Sequence, residues 1–236
     1  MYQLSGVTKR YFRGAETIDA LAGVDLVIGE GERLVVHGPS GGGKSTLLRM
    51  LGGLDRPTRG SVVLDGTDLA ALPQARLTGV RAESIGFVSR ACDLLPALSA
   101  QQNVETALVP LGLGPEARAE RAAAALESVG LGKRRGRLPA ELSAGQRRRV
   151  AIARALVKRP KVLLADEPAG DSAGEPAGGL DAAARGEISE LLEALWRAHG
   201  LTCVLVTHDC AVARRAPRLA TIRGGRVTVT VHSGVV

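Results

Sequence analysis

Nine residues, Gly38-Pro39-Ser40-Gly41-Gly42-Gly43-Lys44-Ser45-Thr46, restrict the fold of this chain more than any other stretch. They sit between an apolar segment, Arg33-Leu34-Val35-Val36-His37, that predicts a buried strand, and Leu47-Leu48-Arg49-Met50-Leu51, that predicts a helix start. Strand, glycine loop and helix in that order form the setting in which a backbone can wrap phosphate. The glycines let successive N–H groups turn inward, and the helix N-terminus adds its partial positive charge. In such a loop Lys44 would reach the β- and γ-phosphates, and the Ser45 hydroxyl would ligate Mg²⁺. A glycine-rich turn without ligand is the alternative; the full spacing, the Lys-Ser pair and both flanking elements argue against it. A nucleotide-binding chain is expected.

At 236 residues, 45% of them hydrophobic, the chain can bury a full core and suits one domain, or one domain with an inserted subdomain. No stretch nears the roughly 18 consecutive apolar residues of a membrane-spanning helix, so membrane work is expected to need a partner. The N-terminal Met1-Tyr2-Gln3-Leu4-Ser5 lacks the charged-then-apolar layout of a secretory leader, and a cytosolic location is expected. Cys92, Cys203 and Cys210 show no paired metal spacing and read as reduced, mostly structural thiols. The net charge of +7 invites nucleic acid as a partner. Aromatics at 2% give no stacking platform, however, and the arginines are scattered among Ala and Gly, so no nucleic-acid binding is expected.

Along the chain, short strands are expected over residues 3–7 and 21–28, with Lys9-Arg10-Tyr11-Phe12 between them and Gly29-Glu30-Gly31 as a turn. Residues 60–64 read as a strand with an Asp65-Gly66 turn behind it, a hairpin at the edge of the core. Residues 84–88 predict another strand, ending in the loop Ser89-Arg90-Ala91-Cys92-Asp93-Leu94-Leu95-Pro96. From there to about Leu156 the pattern is helical, including an Ala-rich run over 116–129. Val162-Leu163-Leu164-Ala165 has buried-strand character and ends in Asp166-Glu167-Pro168. Ile188, Leu191, Leu192 and Leu195 share a helical face that Gly200 would stop. Residues 202–206 form the next expected strand, with Thr207-His208-Asp209 at its end, and Gly224-Gly225 predicts an edge hairpin. The fold class is therefore α/β: a mostly parallel sheet over 1–89 and 157–236 with an antiparallel β edge, and a helical subdomain inserted over 90–156. Lys44, Glu167 and His208 all follow strands, where open α/β sheets bind ligands.

A phosphate loop alone fits a kinase or a GTPase as well. Leu142-Ser143-Ala144-Gly145-Gln146, followed by a predicted helix over 147–156, adds discrimination. With both motifs the chain resembles the ATP-binding subunits of ABC transporters over essentially its whole length. Gly52-Gly53-Leu54-Asp55-Arg56-Pro57-Thr58, Asp93-Leu94-Leu95-Pro96 and Gln102-Asn103-Val104 resemble the subgroup that serves macrolide export, lipoprotein release and cell division. The resemblance implies a P-loop ATPase that uses ATP and Mg²⁺. It implies that Tyr11 stacks on adenine, Asp166 holds Mg²⁺, Glu167 is the general base toward the attacking water, and His208 contacts the γ-phosphate. It also implies that Ser143, Gly145 and Gln146 lie over the γ-phosphate of an opposite subunit's ATP. A dimer with the same or a sister chain follows, along with a membrane permease as partner and a position on the inner face of the membrane.

Three departures from the family pattern stand out. The loop after Phe87-Val88 normally carries a glutamine, and ungapped alignment through Leu94-Leu95-Pro96 places Arg90 there. A guanidinium has donors only and cannot ligate a cation. Arg90 either pairs with the γ-phosphate, leaving binding intact while hydrolysis slows, or points to solvent while water completes the Mg²⁺ shell. Next, Glu167-Pro168-Ala169-Gly170 recurs as Glu175-Pro176-Ala177-Gly178, an eight-residue tandem duplication that lengthens the loop before Asp181, the dimer-contact position. Ala144 replaces a signature glycine, a mild change. Two readings remain: a transport-coupled ATPase, or an ATP-gated regulatory subunit with impaired hydrolysis. A soluble ATPase of DNA repair or chromosome structure would need a long coiled-coil insert between Lys44 and Ser143, and the stretch is too short for one.

Overall fold

The computed structural model describes residues 1–14, 16–169 and 180–232; the insert over 171–178 left by the proposed duplication lies outside them. In chain order the strands and helices are β1 (Tyr2–Arg13), β2 (Glu16–Ile28), β3 (Arg33–His37), α1 (Lys44–Leu51), β4 (Arg59–Leu64), β5 (Thr67–Asp68), α2 (Gln74–Ser84), β6 (Ile85–Val88), α3 (Ala100–Glu105), α4 (Pro115–Ser128), α5 (Ala144–Leu156), β7 (Val162–Asp166), α6 (Ala182–His199), β8 (Thr202–Thr207), α7 (Cys210–Arg214), β9 (Arg218–Arg223) and β10 (Arg226–Val231). They group into two units, the described parts of Met1–Thr78 with Thr202–Val236, and of Gly79–Leu201.

In the first unit, β3 is the organising strand. Its Leu34, Val35 and Val36 are fully buried, and it pairs in parallel with β8 on one side and β9 on the other. Apolar residues on both faces suit a strand covered on both sides. β10 closes this edge antiparallel to β9 through Gly224 and Gly225, both at positive φ, as a two-residue hairpin requires. A separate antiparallel sheet has the order β2-β1-β4-β5. The break expected at Lys9–Phe12 does not occur, since Tyr11 and Phe12 pair with Ile18 and Thr17. Register shifts between Leu4 and Val7, Val7 and Lys9, and Lys9 and Arg10 absorb the irregular spacing, which is why alternation fades there without the strand ending.

In the second unit, β6 and β7 pair in parallel, Val88 opposite Ala165, so their carboxyl ends lie side by side. α2 was not expected from the sequence; among its residues only Leu77 is buried, which leaves little apolar periodicity to read. α3 and α5 each begin with a reciprocal capping box, Ser99 with Gln102 and Ser143 with Gln146. α6 starts on Asp181, whose carboxylate accepts the Ala184 N–H at 2.7 Å, and stops at Gly200 with φ 60°. The loop before α3 winds around Asn103, which is wholly buried. Its Oδ1 accepts the Leu95 N–H at 2.7 Å, and its Nδ2 donates to the carbonyls of Leu95, Leu98 and Ser99 at 3.1, 2.9 and 3.0 Å.

Replacing Asn103 strands these backbone groups without water. Asn103→Ala is expected to lower unfolding free energy by about 2–4 kcal/mol, measured by chemical denaturation. An unchanged midpoint would show that the loop does not depend on this side chain.

Candidate active site

The phosphate loop forms because β3 ends at His37 and α1 begins at Lys44, leaving six residues to turn the chain. Two glycines are required there by geometry. A Cβ on Gly38 would lie 2.2 Å from the Ile222 carbonyl oxygen, and one on Gly43, at φ +103°, would lie 2.2 Å from that of Ala20. Pro39, Ser40 and Gly41 are exposed, Ser45 and Thr46 are half-buried, and Gly42 is buried. Lys44 is 6% exposed, and its ammonium donates to the carbonyls of Gly38 at 2.8 Å and Pro39 at 3.0 Å. Those bonds fold the side chain back across the loop that produced it. The first turn of α1 carries no acidic residue and no side-chain cap, so its N–H groups and dipole are available to an anion.

Tyr11, half-buried on β1, donates its hydroxyl proton to Asp55 Oδ2 at 3.0 Å. Lys9 bonds the other oxygen of the same carboxylate at 2.7 Å and places its ammonium 5.0 Å from the Tyr11 ring centroid. Partial burial pushes the Asp55 carboxyl up, but hydrogen bonds from Lys9, the Arg56 N–H and Tyr11 outweigh burial and hold it below the ordinary carboxylate value. The Lys9–Asp55 anchor was not foreseen in the sequence, although both residues flank motifs already singled out. His208 is exposed, just past β8. Burial raises the Cys203 thiol within β8 to about 11, in keeping with the expected structural role.

In the second unit, β7 delivers Asp166 at its last position and Glu167 immediately after. Asp166 Oδ1 is buried with no hydrogen-bond partner, a donor set that fits a cation better than another protein group. Glu167 is 4% exposed and takes φ 45°, an uncommon backbone for a residue with a Cβ. Its carboxylate Oε2 lies 2.6 Å from Arg90 Nη2. This contact is neither the phosphate pairing nor the solvent position considered for Arg90. The loop carrying Arg90 is held by α5: buried Arg148 donates to the carbonyls of Ser89 at 3.2 Å and Arg90 at 2.6 Å. Arg154 likewise holds the carbonyls of Asp93 and Cys92, residues at φ 45° and 64°.

At the other end of α5, Ser143 Oγ accepts the Gln146 N–H at 3.2 Å and Gln146 Oε1 accepts the Ser143 N–H at 3.1 Å. The Ser-x-x-Gln pattern announces that box, a signal overlooked in reading the motif only as a phosphate contact. Ser143, Ala144, Gly145, Gln146, Leu180 and Asp181 share the lining of a cavity of about 560 Å³, where the starts of α5 and α6 converge. Tyr11, the phosphate loop and His208 thus belong to the first unit, and Arg90, Ser143, Gly145, Gln146, Asp166, Glu167 and Asp181 to the second.

A glycine phosphate loop opening a helix beside a parallel strand, with an Asp-Glu pair ending a second strand, defines a P-loop nucleotide-hydrolysing protein. Residues 21–170 match the family model for ABC transporters, and the chain belongs to that family. It is 46% identical to the ABC transporter ATP-binding protein YknY of Bacillus subtilis over 234 residues, covering 99% of this chain and 97% of that one. It is 43% identical to the macrolide export ATP-binding/permease protein MacB 1/2 of Paracoccus denitrificans, again over 99% of this chain but only 34% of that much longer protein. Among solved structures it resembles the dimeric ATP-binding cassette MJ0796 in a post-hydrolysis state with ADP and Pi, with a TM-score of 0.88, 39% identity, and coverage of 99% and 100% of the two chains. The expected α/β P-loop fold and ATPase class are borne out, with ATP and Mg²⁺ as its substrate and metal.

Because Gly43 has both a forbidding φ and no room for a methyl group, Gly43→Ala is expected to weaken ATP binding at least about tenfold, measured by calorimetry. Wild-type affinity in that variant would show that the loop tolerates a different path.

Proposed function

We propose that this chain energises a separate membrane permease by binding Mg·ATP, closing around it as a pair of cassettes, and hydrolysing it. The reading rests above all on Lys44, a nearly buried ammonium held in a cradle of backbone dipoles opposite an uncapped helix start. Such a site is built for a multiply charged anion. Lys44 would offset charge on the β- and γ-phosphates, the N–H groups of residues 41–46 would bond their oxygens, and Tyr11 would stack on the base. Ser45 and Asp166 would hold Mg²⁺, which when bound neutralises phosphate charge.

Glu167 is the proposed general base. It would take a proton from the attacking water while His208 donates a hydrogen bond to the γ-phosphate oxygens. The capping box suits Ser143 to a role across a dimer. Its oxygen already accepts from Gln146, which leaves its own proton to give to phosphate on an opposing cassette. The first turn of α5 carries no acidic residue, so its dipole favours the same anion, with Gly145 allowing close approach. Asp181, which caps α6, would meet the partner at the seam. The motor would sit on the inner membrane face through its permease. Among the described residues no helix is long and apolar enough to cross a membrane. The loop over 90–96, within the proposed helical subdomain of 90–156, would receive the permease.

Glu167→Gln is expected to keep ATP affinity, lose turnover by at least about a hundredfold, and accumulate an ATP-bound dimer on light scattering. Lys44→Ala should abolish both binding and dimer formation. Full turnover in Glu167→Gln would show that the base lies elsewhere.

A further inference from the structure

Arg90 and Glu167 meet because of strand order. Arg90 lies two residues past β6 and Glu167 one residue past β7, and the two strands are parallel neighbours. Each backbone is also fixed independently: Arg148 holds the Arg90 carbonyl at 2.6 Å, and Glu167 sits at φ 45°. The ion pair at 2.6 Å is asymmetric, since the Glu167 side chain is 4% exposed and that of Arg90 is 39% exposed. One partner can leave into water, and the other cannot.

A carboxylate oxygen that accepts a charge-assisted hydrogen bond from a guanidinium is occupied and turned toward that partner. Glu167 Oε2, engaged at 2.6 Å, is therefore not presented to an attacking water while the pair lasts. We propose that Arg90 is a positioning residue that acts through Glu167 as a brake, holding the base engaged until the guanidinium swings outward. A neutral glutamine at this position, the residue the family pattern expects, could not form the ion pair. The brake rests on the reading of Glu167 as general base. It makes the chain a slowed ATPase that keeps full nucleotide affinity, with a resting state set by a single surface-reaching side chain.

The test measures turnover at saturating Mg·ATP, ATP affinity, and the ionic-strength dependence of kcat for the full chain and its Arg90→Gln, Arg90→Met and Arg90→Lys variants. With the pair's partial exposure taken into account, Arg90→Gln and Arg90→Met are expected to raise kcat about five- to tenfold while Kd for ATP stays within about threefold. Arg90→Lys keeps the charge and should stay close to wild type. Added salt should speed the wild type modestly, by competing for the exposed guanidinium once it leaves Glu167, and leave Arg90→Gln and Arg90→Met unmoved. A merely structural role for Arg90 would alter melting temperature without producing that difference in salt response, and the wild-type response can be read even where a variant folds poorly. An unchanged or lower kcat in both neutral variants, or a wild-type kcat that does not rise with salt, overturns the brake. Glu167→Gln separates the two layers: if it is inert and Arg90→Gln is no faster than wild type, only the brake fails, whereas if Glu167→Gln turns over normally, the base assignment fails first.

Discussion

The rest of the molecule depends on one electrostatic arrangement, a lysine ammonium kept dry at the mouth of a helix whose first N–H groups have no partner of their own. Burying an ammonium is costly unless it is well bonded. The Gly38 and Pro39 carbonyls offset that cost for Lys44, and they can do so only because β3 stops at His37 and glycines let the chain double back. The packing of β3 between β8 and β9 fixes where the loop starts, and the Ala20 and Ile222 carbonyls fix how closely it must pass. The glycines are therefore a demand of neighbouring backbone as much as of a ligand.

A similar logic governs the second unit, where arginines of one helix set the shape of a loop. Arg148 and Arg154 lie on α5 and grip the carbonyls of Ser89, Arg90, Cys92 and Asp93, two of which belong to residues in left-handed backbone. Asn103 holds the following turn from the other side. The start of α5, with its Ser143 cap, and the loop after β6 are thus tied to one rigid rod.

Much of this was legible in the sequence wherever a local rule had no competitor. The phosphate loop, the Gly224-Gly225 hairpin, the apolar face of α6 and its Gly200 stop each follow from a few adjacent residues. Two elements escaped for opposite reasons. α2 has almost no apolar stripe to announce it, and in β1 the register slips against β2 up to Arg10 interrupt the alternation that would announce a strand running on through Phe12. The contacts around Glu167 and Tyr11 were illegible for a third reason. Arg90 finds Glu167, and Tyr11 finds Asp55, only after β6 has been laid beside β7 and after the chain has returned past α1, and no spacing rule encodes such meetings.

The clamp on Tyr11 also limits how a base could be told apart from its analogues. With the phenol proton committed to Asp55 and the Lys9 ammonium over one side of the ring, the tyrosine can offer its other flat face but no directional donor toward a ligand. Stacking of that kind recognises planarity and is indifferent to the pattern on a purine's edge. If a base stacks on Tyr11 as proposed, this clamp would add nothing to telling one purine from another.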